Sequence, residues 1–114
     1  MAPRITRDEL NALLDRSEVI VVEALPENSF AREHIPGAIR VDYEELETQA
    51  PARLPDRDAA IVTYCASLTC RNSEIAANKL IALGYTNVRE YAEGKADWIE
   101  AGLPLEASVR AARA

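Results

Sequence analysis

One stretch decides the fold of this chain: Ile61-Val-Thr-Tyr-Cys-Ala-Ser-Leu-Thr-Cys-Arg-Asn-Ser73. Its first four residues are apolar or β-branched and predict a short buried strand that ends just before Cys65. A small polar loop follows and carries Cys70 and Arg71. The next two residues are both good N-caps, so they predict the start of an amphipathic helix. The predicted order is therefore strand, cysteine, loop and helix N-terminus.

A cysteine in this position is suited to nucleophilic chemistry, because the thiolate is the reactive form of cysteine. A helix N-terminus, free loop amides and Arg71 would all stabilise negative charge beside Cys65. The same groups would hold an oxyanion. Cys65 is therefore a candidate nucleophile. The predicted anion-binding loop consists of Ala66, Ser67, Leu68, Thr69, Cys70 and Arg71. The alternative is that Cys65 is a small buried hydrophobic residue, which is common for free cysteine.

Short strands alternate with helices on both sides of this stretch. Further strands are predicted at residues 19–22, 39–41 and 87–91, and further helices after Thr6, near 29–33, after Asp42 and at 96–101. Gly84 is predicted to end the central helix, and residues 48–58, with two prolines, are predicted to be a loop. This alternation predicts an α/β domain with a largely parallel sheet covered on both faces. Ligands in such sheets bind beyond the carboxyl ends of the strands, where Cys65 is expected.

Composition excludes several classes of function. The chain has 114 residues and a net charge of −6, with 48% hydrophobic and 28% charged residues, which suits one soluble globular domain. Its acidic charge and lack of a basic cluster argue against nucleic acid as the main partner. No apolar run approaches the roughly 20 residues of a membrane span. The N-terminus has no signal-peptide core, so we expect no membrane partner and a cytoplasmic protein.

The two cysteines are too few for a disulfide scaffold, and a cytosolic setting disfavours a structural bridge. Their Cys-x4-Cys spacing is not that of a zinc ribbon. The chain has one histidine, His34, and no nearby third and fourth ligand. We therefore expect neither a metal site nor an organic cofactor.

Several motifs together resemble the rhodanese family, and the resemblance extends over residues 4–106. His34-Ile-Pro-Gly-Ala-Ile39 resembles the family's G-H-I-P-G-A segment, and Val62-Thr-Tyr-Cys65 resembles the strand before the catalytic cysteine. Ser73-Glu-Ile-Ala-Ala77 resembles the helix after the active-site loop. The C-terminal signature is matched by Asn87-Val88, Glu93-Gly94, Trp98 and Ala101-Gly-Leu-Pro104. The order and spacing of these pieces carry the resemblance.

The resemblance implies a rhodanese-like α/β fold with a central five-stranded, mainly parallel sheet and helices on both faces. Residues 1–114 would form one domain, with a core at about 4–106 and a tail at 107–114. It also implies a sulfurtransferase that carries sulfane sulfur as a persulfide on Cys65. The implied partners are a small anionic sulfur donor, such as thiosulfate or polysulfide, and a thiol or cyanide acceptor; a protein thiol is one candidate. The sequence predicts no oligomeric state.

This chain departs from the family pattern at three places. Glu23-Ala-Leu25 stands where many members have Asp-x-Arg, so that arginine and any ion pair it made are missing. Lys95 stands where a second glycine is usual. The loop after Cys65 is longer than the common rhodanese loop, lacks its glycine and holds a second cysteine. We predict that Glu23 caps a neighbouring loop, and that His34 hydrogen-bonds backbone instead of acting as a base.

The loop sequence is also compatible with two functions other than sulfur transfer. Cys65-x5-Arg71 is also the spacing of cysteine phosphatases and related arsenate-reducing enzymes, in which the arginine binds the oxyanion. A non-catalytic rhodanese-like binding or redox-sensing module is the other alternative. It would gain support if Cys65 were buried with a high pKa, or if the two cysteines formed a stable disulfide. Cys70 itself is a resolving thiol, a sulfur relay or a bystander.

Overall fold

The computed structural model describes residues 2–107, so most of the predicted tail lies outside the described residues. The helices are α1 (Arg7–Asp15), α2 (Glu27–Arg32), α3 (Leu46–Arg53), α4 (Asn72–Ala82) and α5 (Gly94–Glu100), with a 3₁₀ turn at Tyr43–Glu45. The strands are β1 (Ile20–Glu23), β2 (Ile39–Arg40), β3 (Ile61–Tyr64) and β4 (Val88–Tyr91). All pair in parallel in the order β2-β1-β3-β4. Within the described range, no helix has the length and apolar character needed to cross a membrane.

Each face of the sheet has its own hydrophobic core. Val22 packs in one core with Leu80 of α4, and its neighbour Val21 packs in the other with Leu10 of α1 and Trp98 of α5. Because successive side chains of a strand point to opposite faces, adjacent valines serve different cores. The predicted α/β fold, with helices on both faces of a parallel sheet, is confirmed.

The sheet has four strands where five were predicted. The missing strand is reduced to a single parallel bridge between Arg4 and Glu90 at the β4 edge. The Ile5 amide donates to the Glu90 carbonyl (3.0 Å), and the Glu90 amide donates to the Pro3 carbonyl (2.8 Å). Pro3 has no amide hydrogen with which to extend the ladder. Helix α1 begins two residues after Ile5, so pairing stops after one residue.

The prediction of a loop over residues 48–58 is wrong in its first half, because helix α3 runs through it. Pro51 lies inside this helix, where proline costs about 3 kcal/mol. Leu46, Ala50 and Leu54 follow one another at four-residue spacing, and all three are fully buried. Burying one leucine side chain contributes about 1.5–3 kcal/mol. Tertiary burial of this face therefore offsets the unfavourable proline.

Helix α4 ends where the sequence predicted, but the residue predicted as a candidate N-cap, Asn72, lies inside the helix. Gly84 follows the helix with φ +100°, a conformation that favours glycine. Asn72, a candidate N-cap in the sequence, is the first residue of the helix, and its side-chain amide donates to the Ala24 carbonyl (3.0 Å). The Thr63 hydroxyl donates to the Ser73 carbonyl (2.8 Å). These two bonds fix the start of α4 against the carboxyl ends of β1 and β3.

Candidate functional site

Cys65 follows the last residue of β3 and lies at the carboxyl end of the sheet. Its backbone carbonyl accepts from the Lys95 amide (2.8 Å), and the Ala66 carbonyl accepts from the Ala96 amide (2.8 Å). The first turn of α5 therefore holds the beginning of the loop. The Cys65 side chain is fully buried. A sulfur donor can therefore reach the thiol only when the loop moves.

Gly94 allows α5 to approach the loop this closely. Its φ is +71°, and a Cβ built on it would lie 2.5 Å from the Cys65 carbonyl oxygen and 2.9 Å from the Ser67 nitrogen. Any side chain at this position would displace the backbone that carries the nucleophile. Glycine is therefore required at position 94 for two reasons: the positive φ disfavours other residues, and the loop backbone leaves no room for a side chain.

The environment of the thiol is set by Cys70 and Ser73. The Cys65 Sγ lies 3.5 Å from the Cys70 carbonyl oxygen and 3.5 Å from the Ser73 Oγ. Burial raises the pKa of Cys65, and a hydrogen bond with Cys70 raises it further. The hydroxyl and the backbone amide of Ser73 act in the opposite direction on this pKa, but burial outweighs them. The resting form is therefore the thiol, and the amide that stabilises a thiolate belongs to Ser73, two residues after the end of the predicted loop.

The predicted loop residues form a tight turn between Cys65 and α4. The Cys70 amide donates to the Ser67 carbonyl (3.1 Å), and the hydroxyls of Ser67 and Thr69 lie 3.1 Å apart. Leu68 is at the tip of the turn and is 64% exposed. Both cysteines are free thiols, and Cys70 is half-buried. The loop therefore brings the Cys70 backbone against the Cys65 sulfur without a disulfide.

Arg71 lies on the outside of the loop. Its guanidinium forms two close contacts with Glu74, Nε–Oε1 at 2.9 Å and Nη2–Oε1 at 2.8 Å, and its side chain is 75% exposed. Binding an anion inside the loop would require this pair to open. The predicted anion-binding role of Arg71 therefore stays a prediction that depends on a loop movement.

Concave surfaces lie on both sides of the loop. A cleft of about 340 Å³ is lined by Ser67, Leu68, Thr69, Glu93, Ala96, Asp97 and Glu100. Asp97 is paired with Arg7 (3.2 Å). A smaller cavity of about 180 Å³ touches Ala66 and Lys95 on the other side of the loop. Among the described residues, no cluster of three or more His, Cys, Asp or Glu side chains could hold a metal ion.

A buried ion pair below the loop was missed by sequence reasoning. Glu23 is fully buried, and its carboxylate accepts from the Tyr64 hydroxyl (2.5 Å) and from the Lys95 Nζ (3.1 Å). Lys95 Nζ also donates to the carbonyls of Glu33 (2.6 Å) and Ser29 (3.3 Å). Burial, together with the Glu23 carboxylate, raises the pKa of Tyr64. Glu23 thus pairs with a lysine instead of capping a loop.

The ion pair joins two positions at which the chain departs from the family pattern, Glu23 and Lys95. The usual arginine after β1 is missing, and Lys95 of α5 supplies a buried cation instead. The sequence did contain a signal for this contact. At both departures from the family pattern this chain has a charged residue, and the two charges are opposite. Because the Lys95 amide also holds the Cys65 carbonyl, the pair anchors the backbone beneath the nucleophile.

A second buried carboxylate, Glu90, was also missed. The Ser73 hydroxyl donates to Glu90 Oε2 (2.9 Å), and Glu90 is only 5% exposed. Glu90 is the β4 partner of Thr63 in the sheet, so it lies beside the strand that leads to Cys65. The sequence indicated Ser73 only as a helix cap, and nothing in it singled out Glu90. The predicted backbone contact of His34 is present, since its Nδ1 lies 2.7 Å from the Phe30 carbonyl oxygen.

Comparison with known proteins identifies the family to which this fold and site belong. The family model described as "Rhodanese-like domain" matches residues 6–101. This chain belongs to the rhodanese-like family. The rhodanese-like domain is 33% identical over 102 residues to the HTH-type transcriptional regulator Rv0324 of Mycobacterium tuberculosis, covering 90% of this chain and 44% of that protein. It is 31% identical over 98 residues to the adenylyltransferase and sulfurtransferase UBA4 of Candida albicans, covering 81% and 22%.

Among solved structures, the domain superposes on a thiosulfate sulfurtransferase from Pseudomonas aeruginosa with a TM-score of 0.83. The two are 30% identical, and the match covers 94% of this chain and 20% of that one. The chain thus spans less than half the length of these relatives, one of which is a regulator. These comparisons support the sulfurtransferase family and do not identify a substrate.

Proposed function

We propose that this rhodanese-like domain is a sulfurtransferase that moves sulfane sulfur from thiosulfate or polysulfide to a thiol or cyanide acceptor. Sulfur would be carried as a persulfide on Cys65. The proposal rests on one observation: Cys65 lies at the carboxyl end of β3 against the start of α4, where the Ser73 amide and hydroxyl favour its thiolate. The acceptor thiol is a small molecule or a protein thiol. We place the reaction in the cytoplasm, where thiols remain reduced.

The mechanism has two steps. The Cys65 thiolate attacks the outer sulfur of the donor, and the donor's sulfur–sulfur bond breaks. Sulfite or a shortened polysulfide leaves with the electron pair. The acceptor thiolate or cyanide then attacks the outer sulfur of the persulfide, which gives the sulfurated acceptor and restores the Cys65 thiolate. Such covalent catalysis divides one difficult transfer into two easier ones.

Replacing Cys65 with Ser is expected to abolish both sulfur loading and turnover. The reduced protein is treated with thiosulfate or polysulfide and weighed by mass spectrometry, and cyanide-dependent thiocyanate release is assayed alongside. We expect a one-sulfur adduct in the wild type and in Cys70→Ser, and none in Cys65→Ser. Wild-type protein that gains no sulfur and releases no thiocyanate would refute the sulfurtransferase.

Salt dependence tests how an anionic donor approaches. Glu93 and Glu100 line the cleft beside the loop without a described cationic partner. Raising the ionic strength from 0.01 to 0.1 M shortens the Debye length from about 30 to about 10 Å. We therefore expect kcat/KM for thiosulfate to rise on the order of 2- to 5-fold. A fall would instead indicate that Arg71 swings inward and attracts the donor.

A redox-sensing module is the second candidate, and one observation favours it. Cys65 is buried with a raised pKa, and its Sγ lies 3.5 Å from the backbone carbonyl oxygen of the second cysteine, Cys70. In this function a peroxide would oxidise the Cys65 thiol to a sulfenic acid, which the Cys70 thiol would convert into an internal disulfide with release of water. The mass spectrometry above separates the two functions, because the module loses two hydrogens on oxidation and gains no sulfur.

The phosphatase or arsenate-reductase alternative is disfavoured by the position of Arg71. In such a site the guanidinium faces the oxyanion, whereas here it contacts Glu74 at the surface. Activity on a phosphate ester or arsenate, with inhibition by vanadate, would restore this alternative. Loss of that activity in both Cys65→Ser and Arg71→Ala would then identify the residues responsible.

A further inference from the structure

Three side chains form a hydrogen-bonded line that begins at the nucleophile. The Cys65 thiol donates to the Ser73 Oγ at 3.5 Å, and the Ser73 hydroxyl donates to the Glu90 Oε2 at 2.9 Å. Cys65 and Ser73 are fully buried, and Glu90 is 5% exposed. They come from three different elements: the end of β3, the first turn of α4, and β4. The line therefore runs from the reactive sulfur to a carboxylate through one hydroxyl.

Burying the Glu90 carboxylate costs folding free energy. A buried carboxylate is expensive to desolvate and is normally paired with a cation. The described residues provide no ion pair for Glu90, in contrast to Glu23, which is paired with Lys95. Forming the Cys65 thiolate next to an ionised Glu90 would place two negative charges in one buried region. That double charge is avoided if the carboxylate receives the proton that the thiol loses.

We propose that Glu90 accepts the Cys65 proton through Ser73 as the sulfur attacks its donor. The Cys65 S–H bond breaks and its proton passes to the Ser73 oxygen, while the Ser73 hydroxyl proton passes to Glu90 Oε2. The sulfur keeps the electron pair and forms the bond to the outer sulfur of the donor. No oxidant or extra reactant is needed, and while Glu90 holds the proton, Cys65 and Glu90 together carry a single negative charge.

The resting proton remains on Cys65, because burial raises the pKa of this thiol. Transfer therefore occurs together with attack and not before it. Glu90 keeps this proton until the acceptor removes the outer sulfur, and then returns it through the Ser73 hydroxyl to the Cys65 sulfur. Ser73 contacts the reacting sulfur directly, whereas Glu90 acts through Ser73. This proton path rests on the proposed function for its substrate, but it can be tested without one.

The test measures alkylation of Cys65 by iodoacetamide as a function of pH. It uses the full chain in a Cys70→Ser background, because Cys70 is the other thiol and its charge also acts on Cys65. In this background Glu90→Gln keeps a carbonyl acceptor for Ser73 and removes the base. We expect alkylation at pH 7 to slow by about 100-fold or more, the usual size of a general-base effect. The rate should recover at high pH, where hydroxide removes the proton.

Two further variants complete the design. Ser73→Ala should slow alkylation similarly, and the double variant should be no slower than either single one, because the two residues act as a unit. Glu44→Gln, an exposed carboxylate on the 3₁₀ turn, is the matched control and should leave the rate unchanged. Circular dichroism and urea unfolding verify that each variant is folded.

A purely electrostatic role for Glu90 predicts the opposite effect on the alkylation rate. If Glu90 were only a nearby charge, its removal would favour the thiolate, and Glu90→Gln would alkylate as fast as or faster than its parent. That result, or a slowing that high pH does not reverse, would overturn the proton path. Because iodoacetamide requires no sulfur donor, failure of this proposal is distinguishable from failure of the sulfurtransferase, which would appear as a missing sulfur adduct.

Discussion

Replacing Lys95 with Met is expected to lower the free energy of unfolding by about 3–5 kcal/mol, the usual cost of breaking a buried ion pair from one side. The variant leaves the fully buried Glu23 carboxyl group without its cation, with only the Tyr64 hydroxyl as a partner. It also leaves the carbonyls of Ser29 and Glu33 without their ammonium donor. Urea unfolding followed by circular dichroism measures the change.

The double variant Glu23→Gln/Lys95→Met supplies the control for this interpretation. Removing both charges should restore part of the lost stability, because the remaining groups no longer include an uncompensated buried charge. Lys79→Met removes a lysine that pairs with the exposed Glu47 (3.4 Å), and it should have a much smaller effect. A loss below about 1 kcal/mol for Lys95→Met would show that the pair does not contribute as a buried one does.

Replacing Gly94 with Ala is expected to impair both stability and sulfur loading. The left-handed conformation alone costs roughly 1–2 kcal/mol for a residue with a Cβ. The added methyl group would lie 2.5 Å from the Cys65 carbonyl oxygen, so the loop backbone must move. Displacing a nucleophile by about 1 Å can cost on the order of 100-fold in rate. We therefore expect formation of the Cys65 persulfide to slow at least about 10-fold.

Gly102→Ala separates the two causes. Gly102 has a similar φ of +75°, but a Cβ there would meet nothing within 4 Å. This variant should show the backbone cost alone, with sulfur loading unchanged. If Gly94→Ala were no more harmful than Gly102→Ala in both measurements, contact between α5 and the loop would not position Cys65.

Local sequence patterns were sufficient for most of the fold. The strands predicted at residues 19–22, 39–41, 61–64 and 87–91 are all present, and the helix predicted after Thr6 begins there, with Thr6 and Glu9 forming a capping box. Gly84 correctly ended α4. These signals were reliable because each depends on residues close together in the chain. Helix α3 was missed because burial of its leucine face, which the local pattern does not show, outweighed Pro51.

The sequence by itself determined the fold class, the family and the placement of Cys65 between a strand and a helix. Only the tertiary structure decided what surrounds that cysteine. It paired Glu23 with Lys95, 72 residues away, and Ser73 with Glu90, 17 residues away. It also turned Arg71 outward onto Glu74. The reason is physical: a strand or cap is specified by neighbours in sequence, whereas the partner of a buried charge is specified by which elements the sheet brings together.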